Sequence, residues 1–175
     1  PSGRRTYYHI MNVYLESLGC PKNQVDSDMM LGQLNAAGLN ICDTPETAHT
    51  IIINTCSFIE AAADEAIDTI LSLARLKQDG ACSRLIVCGC LPERYRENLA
   101  ASMPEVDCFL GTGAYNQIVE AVMGQPLLSG CILPPPDKIP LPVRQIRRGG
   151  VRTASAYLKL AEGCDRSEEH TSELQ

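Results

Sequence analysis

The stretch that decides the fold is "HTIIINTCSFIEAAADEAIDTILSLARLKQDG", residues 49–80. Its first part, "HTIIINT" (49–55), is a β-branched run, short enough for a buried strand. Its second part, "SFIEAAADEAIDTILSLARLKQDG" (57–80), has the spacing of a long amphipathic helix. Ser57 and Glu60 form a capping-box pattern at its start, and Gly80 ends it. Cys56 falls between strand and helix. Working outward, the same unit recurs. Upstream, "IMNVYLESLG" (10–19) reads as a strand, and "NQVDSDMMLGQLNAAG" (23–38) places Val25, Met29, Met30 and Leu34 at helical spacing. Asn23 is its expected cap and Gly38 its expected stop. Downstream come the strand "RLIVCG" (84–89), the helix "PERYRENLAASM" (92–103) opened by Pro92, the strand "VDCFLG" (106–111) and the helix "AYNQIVEAVMG" (114–124). This alternation predicts an α/β fold: an open parallel sheet with helices on both faces and right-handed crossovers.

The bulk properties agree. A chain of 175 residues with 45% hydrophobic content can bury one core without disulfide staples. The net charge of −6 argues against a free-standing nucleic-acid binder, which usually carries a basic excess. No run reads as a signal peptide or approaches the length of a membrane span, so a cytoplasmic, reducing setting is expected. There, nine cysteines point to metal ligation or redox chemistry, with most of them expected to be small buried apolar residues.

Composition changes after residue 124. Residues 125–153 hold six of the eleven prolines, and Lys138, Arg144, Arg147, Arg148 and Arg152 follow one another without an acid. This segment reads as an extended linker crossing a surface, its basic half a solvated stretch more than an RNA contact. "ASAYLKLAEG" (154–163) then reads as a new strand.

Three cysteines share one structural place. "SLGCPKN" puts Cys20 after the first strong strand, "INTCSF" puts Cys56 after the second, and "VCGCLP" puts Cys90 after the third. Each is roughly one βα repeat from the next. In an open parallel sheet the carboxyl ends of the strands line one edge, and ligands bind outside it, so these thiols can converge. Convergent thiolates suit an iron–sulfur cluster or zinc, while plain buried or redox thiols remain the bland alternative. Three thiolates on a 4Fe–4S cluster leave one iron open. Cys88, on the same strand face, rivals Cys90, which is preferred because it lies beyond the strand. His49 stands at the wrong end of its strand for this site. Cys42, Cys82, Cys108 and Cys131 share no placement, and "GTG" (111–113) is too short for a phosphate loop. Asp26 and Asp28 are expected in the first helical turn, where they favour the helix dipole.

"YLESLGCPKNQVDSDMMLGQL", "IIINTCSFIEAAADEAIDTI" and "LIVCGCLPERY" resemble the N-terminal domain of the radical-SAM methylthiotransferases. "YLKLAEGCDR" resembles the opening of the radical-SAM barrel in the same family. "GCPKN" resembles the branch that modifies ribosomal protein S-twelve; the tRNA-modifying branch typically carries a different tripeptide after its first "GC". The resemblance implies that Cys20, Cys56 and Cys90 ligate an auxiliary 4Fe–4S cluster whose open iron holds the sulfur to be transferred. It implies that Cys164 is the first ligand of a second, S-adenosylmethionine-cleaving 4Fe–4S cluster. The deoxyadenosyl radical made there takes a hydrogen from the β-carbon of an aspartate on the ribosomal protein, and a methylthio group replaces it. A tRNA-modifying fragment, or a stand-alone iron–sulfur or zinc module, are the alternative readings.

The chain departs from the family pattern at three places. "DSD" replaces the commoner "DSE", Ser57 stands where Gly is frequent, and Glu168 and Thr171 occupy the places of the second and third radical-SAM cysteines. "RSEEHTSELQ" (166–175) resembles the translation of a sequencing-library adapter. The expected organisation is a non-native leader (1–10), the auxiliary-cluster domain (11–124), the linker (125–153), the first strand of a truncated barrel (154–166) and an artefactual tail (167–175). Such a fragment is expected to bind one cluster and to be inactive alone.

Overall fold

The computed structural model describes residues 11–80, 82–125, 130–134 and 157. Among the described residues, six strands alternate with helices: β1 (Asn12–Ser17), α1 (Pro21–Ala36), β2 (Asn40–Ile41), β3 (Thr50–Thr55), α2 (Glu60–Gln78), β4 (Arg84–Gly89), α3 (Cys90–Ser102), β5 (Cys108–Leu110), α4 (Ile118–Val122) and β6 (Gly130–Ile132). Short 3₁₀ turns at Pro45–Thr47 and Thr112–Gln117 precede β3 and α4. All the pairings are parallel, in the order β2-β1-β3-β4-β5-β6. The order reverses between β1 and β3, which is where doubly wound sheets open a crevice at their carboxyl edge.

The β-branched run explains β3. A central parallel strand is covered on both faces, so it reads as continuous apolar residues. Ile51 and Ile53 face a core with Ala63, Ala66, Ile70 and Ala74 of α2 and Leu91 and Leu99 of α3. Ile52 faces the opposite core, with Met30 and Leu34 of α1 and Ile118, Ala121 and Val122 of α4. The three isoleucines are fully buried, and burial of such a side chain stabilises by about 1.5–3 kcal/mol. The two helix layers and the parallel sheet match the expected fold class.

Several local expectations change. α1 starts at Pro21, with Cys20 as its N-cap. Asn23 is therefore not the cap; it is a buried residue of the first turn. Asp26 and Asp28 fall past that turn, with Asp26 buried and Asp28 exposed, so the dipole account of them does not hold. α2 starts at Glu60 with Ile59 as N-cap, so Ser57 does not cap it. α3 begins two residues earlier than Pro92, at Cys90. The stops are as expected: Gly38 and Gly80 follow the ends of α1 and α2 at φ +81° and +79°.

β2 and β6 are additions. β6 lies inside the stretch read as linker, so the sheet extends into 125–153. Residues 126–129 and 135–153, Cys164 and the terminal segments 1–10 and 167–175 lie outside the described residues. Of the strand expected at 154–163, only Tyr157 is described, outside regular structure and exposed. Among the described residues, no helix is long and apolar enough to cross a membrane.

Candidate metal centre

β1, β3 and β4 are neighbours in the sheet, and each hands the chain onward through a cysteine. Cys20 caps α1, with Pro21 directly behind it. Cys56 follows Thr55, the last residue of β3, and Cys90 follows Gly89, the last residue of β4. Thr55 and Gly89 are paired in register, so Cys56 and Cys90 leave their strands side by side. The order of the sheet thus places Cys20, Cys56 and Cys90 at one edge, on three consecutive strands. Cys20 and Cys90 are half-buried and Cys56 is buried, and none of the three is in a disulfide. α1 and α3 begin at this edge, and the positive ends of their helix dipoles favour negative charge there.

Two glycines allow the close approach. Gly19 and Gly89, directly before Cys20 and Cys90, hold φ at +98° and +99°. A Cβ on Gly19 would run into the Cβ of Cys56. One on Gly89 would lie 2.5 Å from the Thr55 carbonyl oxygen and 2.6 Å from Asn54 Oδ1. Both outer turns therefore press on the segment that carries Cys56, and only glycine has both the conformation and the room.

A buried polar network holds these turns. Asn23 Nδ2 donates to the carbonyls of Leu18 at 3.0 Å and Thr55 at 2.8 Å, tying the exit of β1 to that of β3. The thiol of Cys20 reaches Asn23 Oδ1 at 3.9 Å. Asn54 Nδ2 donates to the Asn23 carbonyl at 2.9 Å and to Ser27 Oγ at 3.0 Å. The Thr55 hydroxyl donates to the Cys88 carbonyl at 2.7 Å and accepts from Leu91 N at 3.3 Å, joining β3 to the start of α3. From the other side, Arg94 Nη1 donates to the Ser57 carbonyl at 2.6 Å. Among the described residues, Asn54 Oδ1 is a buried acceptor with no hydrogen bond.

Cys88 belongs to the core. It is fully buried, and its thiol sits 3.8 Å from Met30 Sδ and 3.5 Å from the Ile53 carbonyl. Burial, and then the charge of Asp26, push that thiol well above its ordinary value. Cys82 and Cys108 are also buried, and burial raises the Cys108 thiol to about 11. Cys42 and Cys131 are half-buried. His49 is exposed at the opposite end of β3, accepting from Asn12 N at 3.0 Å.

Three thiols are soft donors, of the chemistry that holds zinc or the irons of an iron–sulfur cluster. Among the described residues no three His, Cys, Asp or Glu side chains are placed to hold one metal ion.

The uncharacterized protein family UPF0004 matches residues 12–111, more than half of the sequence. The chain belongs to that family. The matched UPF0004 span runs from β1 to the residue after β5 and contains Cys20, Cys56 and Cys90. Among curated relatives, the ribosomal protein uS12 methylthiotransferase RimO of Desulfosudis oleivorans is 56% identical over 89% of this chain and 36% of its own length. RimO of Geobacter sulfurreducens is 47% identical over 87% of the chain and 34% of its own length. RimO of Anaeromyxobacter sp. (strain Fw109-5) is 46% identical over 87% of the chain and 32% of its own length. The chain is thus similar to the N-terminal part of RimO and spans about a third of these relatives.

The strand-end pattern in the sequence marks the three cysteines but not the hydrogen bonds around them. Asn23 has the residue type of a helix cap, while no spacing or motif marks Asn54, Thr55 or Arg94. The available signal was the glycine before Cys20 and before Cys90, repeated at two strand ends.

Proposed function

We propose that this chain is the auxiliary-cluster domain of a methylthiotransferase acting on an aspartate of ribosomal protein uS12. The observation that carries the proposal is the exit of Cys20, Cys56 and Cys90 from three adjacent parallel strands at one edge. In this reading the three thiolates hold a 4Fe–4S cluster. When bound, a cluster on three thiolates supplies one iron open to an exogenous ligand, suited to the sulfur that is transferred. The chain's own work is positional. Gly19 and Gly89 bring the turns together, the asparagine network fixes them, and the two apolar cores keep the edge rigid.

Cys164 is the proposed first ligand of a second 4Fe–4S cluster, which serves S-adenosylmethionine in the longer protein. Its partners are absent here, because Glu168 and Thr171 take their places. The 175 residues alone therefore bind one cluster and do not turn over. The setting is the cytoplasm, where the ribosomal substrate is found. The names of the relatives and the net charge of −6 favour the protein substrate over tRNA.

The test is anaerobic assay of the 175-residue chain and of a full-length protein restored beyond Arg166, each with S-adenosylmethionine, sulfide, and either uS12 or tRNA. The expected result is methylthio-aspartate on uS12 from the full-length protein alone. Product on tRNA only, or turnover by the 175 residues, contradicts the proposal.

A further inference from the structure

Cys56 is the central thiol and the most enclosed of the three, at 7% exposure. Its turn lacks a side-chain cap of its own, because α2 begins at Glu60 and Ile59 makes no capping bond. Instead, the two carbonyls flanking Cys56 are taken by side chains from the helices that follow Cys20 and Cys90. Asn23, in the first turn of α1, takes the Thr55 carbonyl on one side. Arg94, on the first part of α3, takes the Ser57 carbonyl on the other. Asn23 is buried among the strand ends, whereas Arg94 is exposed and lies 5.6 Å from the centre of the Tyr95 ring. An exposed guanidinium that only needed solvation would not have to reach a loop carbonyl on the neighbouring strand.

We propose that Asn23 and Arg94 are positioning residues that lock the Cys56 turn between those of Cys20 and Cys90, setting the spacing of the three thiols before any cluster binds. The purpose of the lock rests on the cluster reading above. The lock itself is a property of the cluster-free chain and can be tested there. A buried thiol is alkylated only when its segment opens locally, so the alkylation rate reports that opening.

The experiment uses the reduced, cluster-free 175-residue chain with iodoacetamide, and mass spectrometry reads each cysteine separately. In Arg94→Met, Cys56 should react about tenfold faster, as for loss of one charged hydrogen bond. Cys82 and Cys108 should keep their rates and the thermal midpoint should not move. Arg94→Lys should recover much of the protection. Asn23→Ala should accelerate Cys20 and Cys56 together. After anaerobic reconstitution, Arg94→Met should also lose iron to a chelator faster than the unaltered chain. Unchanged Cys56 rates in both variants overturn the lock. So does a uniform rise at every cysteine with a lower midpoint, which marks a merely structural effect. If Cys20→Ala, Cys56→Ala and Cys90→Ala all retain full iron, the cluster reading falls, and the Cys56 rates still decide the lock.

Discussion

At Gly89, one added methyl group would meet the Thr55 carbonyl at 2.5 Å while the backbone holds φ at +99°. Gly38 also holds a positive φ, +81°, but with open space around it, whereas Gly89, at ψ −147°, lies in a region essentially restricted to glycine. Gly38→Ala should cost about 1 kcal/mol from conformation alone. Gly89→Ala should cost about 2–4 kcal/mol, since displaced backbone adds to the strain. Urea unfolding of both variants gives the comparison, and equal losses would contradict the packing described here. The thiols supply a second prediction. Burial holds Cys108 at about 11 and raises Cys88 and Cys82, against an ordinary value of 9.0. In the unfolded chain these thiols ionise first, so the fold binds more protons above that value. Stability from them is complete below about pH 9 and declines as pH rises toward about 11. Urea midpoints of the reduced, cluster-free chain across that window should fall, and Cys108→Ala should flatten the fall. A rising midpoint contradicts the assignment. At this scale the sequence showed which cysteines stand at strand ends. It did not show that Cys88 turns into the core, because alternation along β4 assigns a face without saying how each face is covered.

The start of α2 shows how an element can be legible and its boundary misread. Its apolar spacing was clear, and Ala63, Ala66, Ile70 and Ala74 are its buried face. The Ser57–Glu60 pattern matched a capping box, yet Ser57 is buried beside Cys56 and the helix begins at Glu60. The N-cap is Ile59, at φ −109° and ψ 158°, partly exposed and with no capping bond. Ile59→Asp should therefore stabilise the fold by about 1 kcal/mol, from a new cap and a favourable helix dipole. Thermal unfolding checks this, and a lowered midpoint would contradict the assigned boundary. β2 escaped sequence reading because two residues, Asn40 and Ile41, carry no periodicity. β6 escaped because its three residues lie in a proline-rich stretch. The helix expected at 114–124 divides because a 3₁₀ turn runs through Gln117 before α4 starts at Ile118.

For the whole molecule, the alternation of strands and helices made the parallel sheet legible, but not the order β2-β1-β3-β4-β5-β6. Apolar runs report burial, whereas neighbours are chosen by long-range packing between elements far apart in sequence. That order is what brings Cys20, Cys56 and Cys90 onto adjacent strands. The central claim is that these three thiols, and not Cys88, hold one 4Fe–4S cluster. The direct measurement is iron and acid-labile sulfide per chain after anaerobic reconstitution of the 175 residues and of single Cys→Ala variants. About four of each are expected in the unaltered chain and in Cys88→Ala, with marked loss in Cys20→Ala, Cys56→Ala and Cys90→Ala. Full iron in all three of those variants, or loss confined to Cys88→Ala, would contradict it.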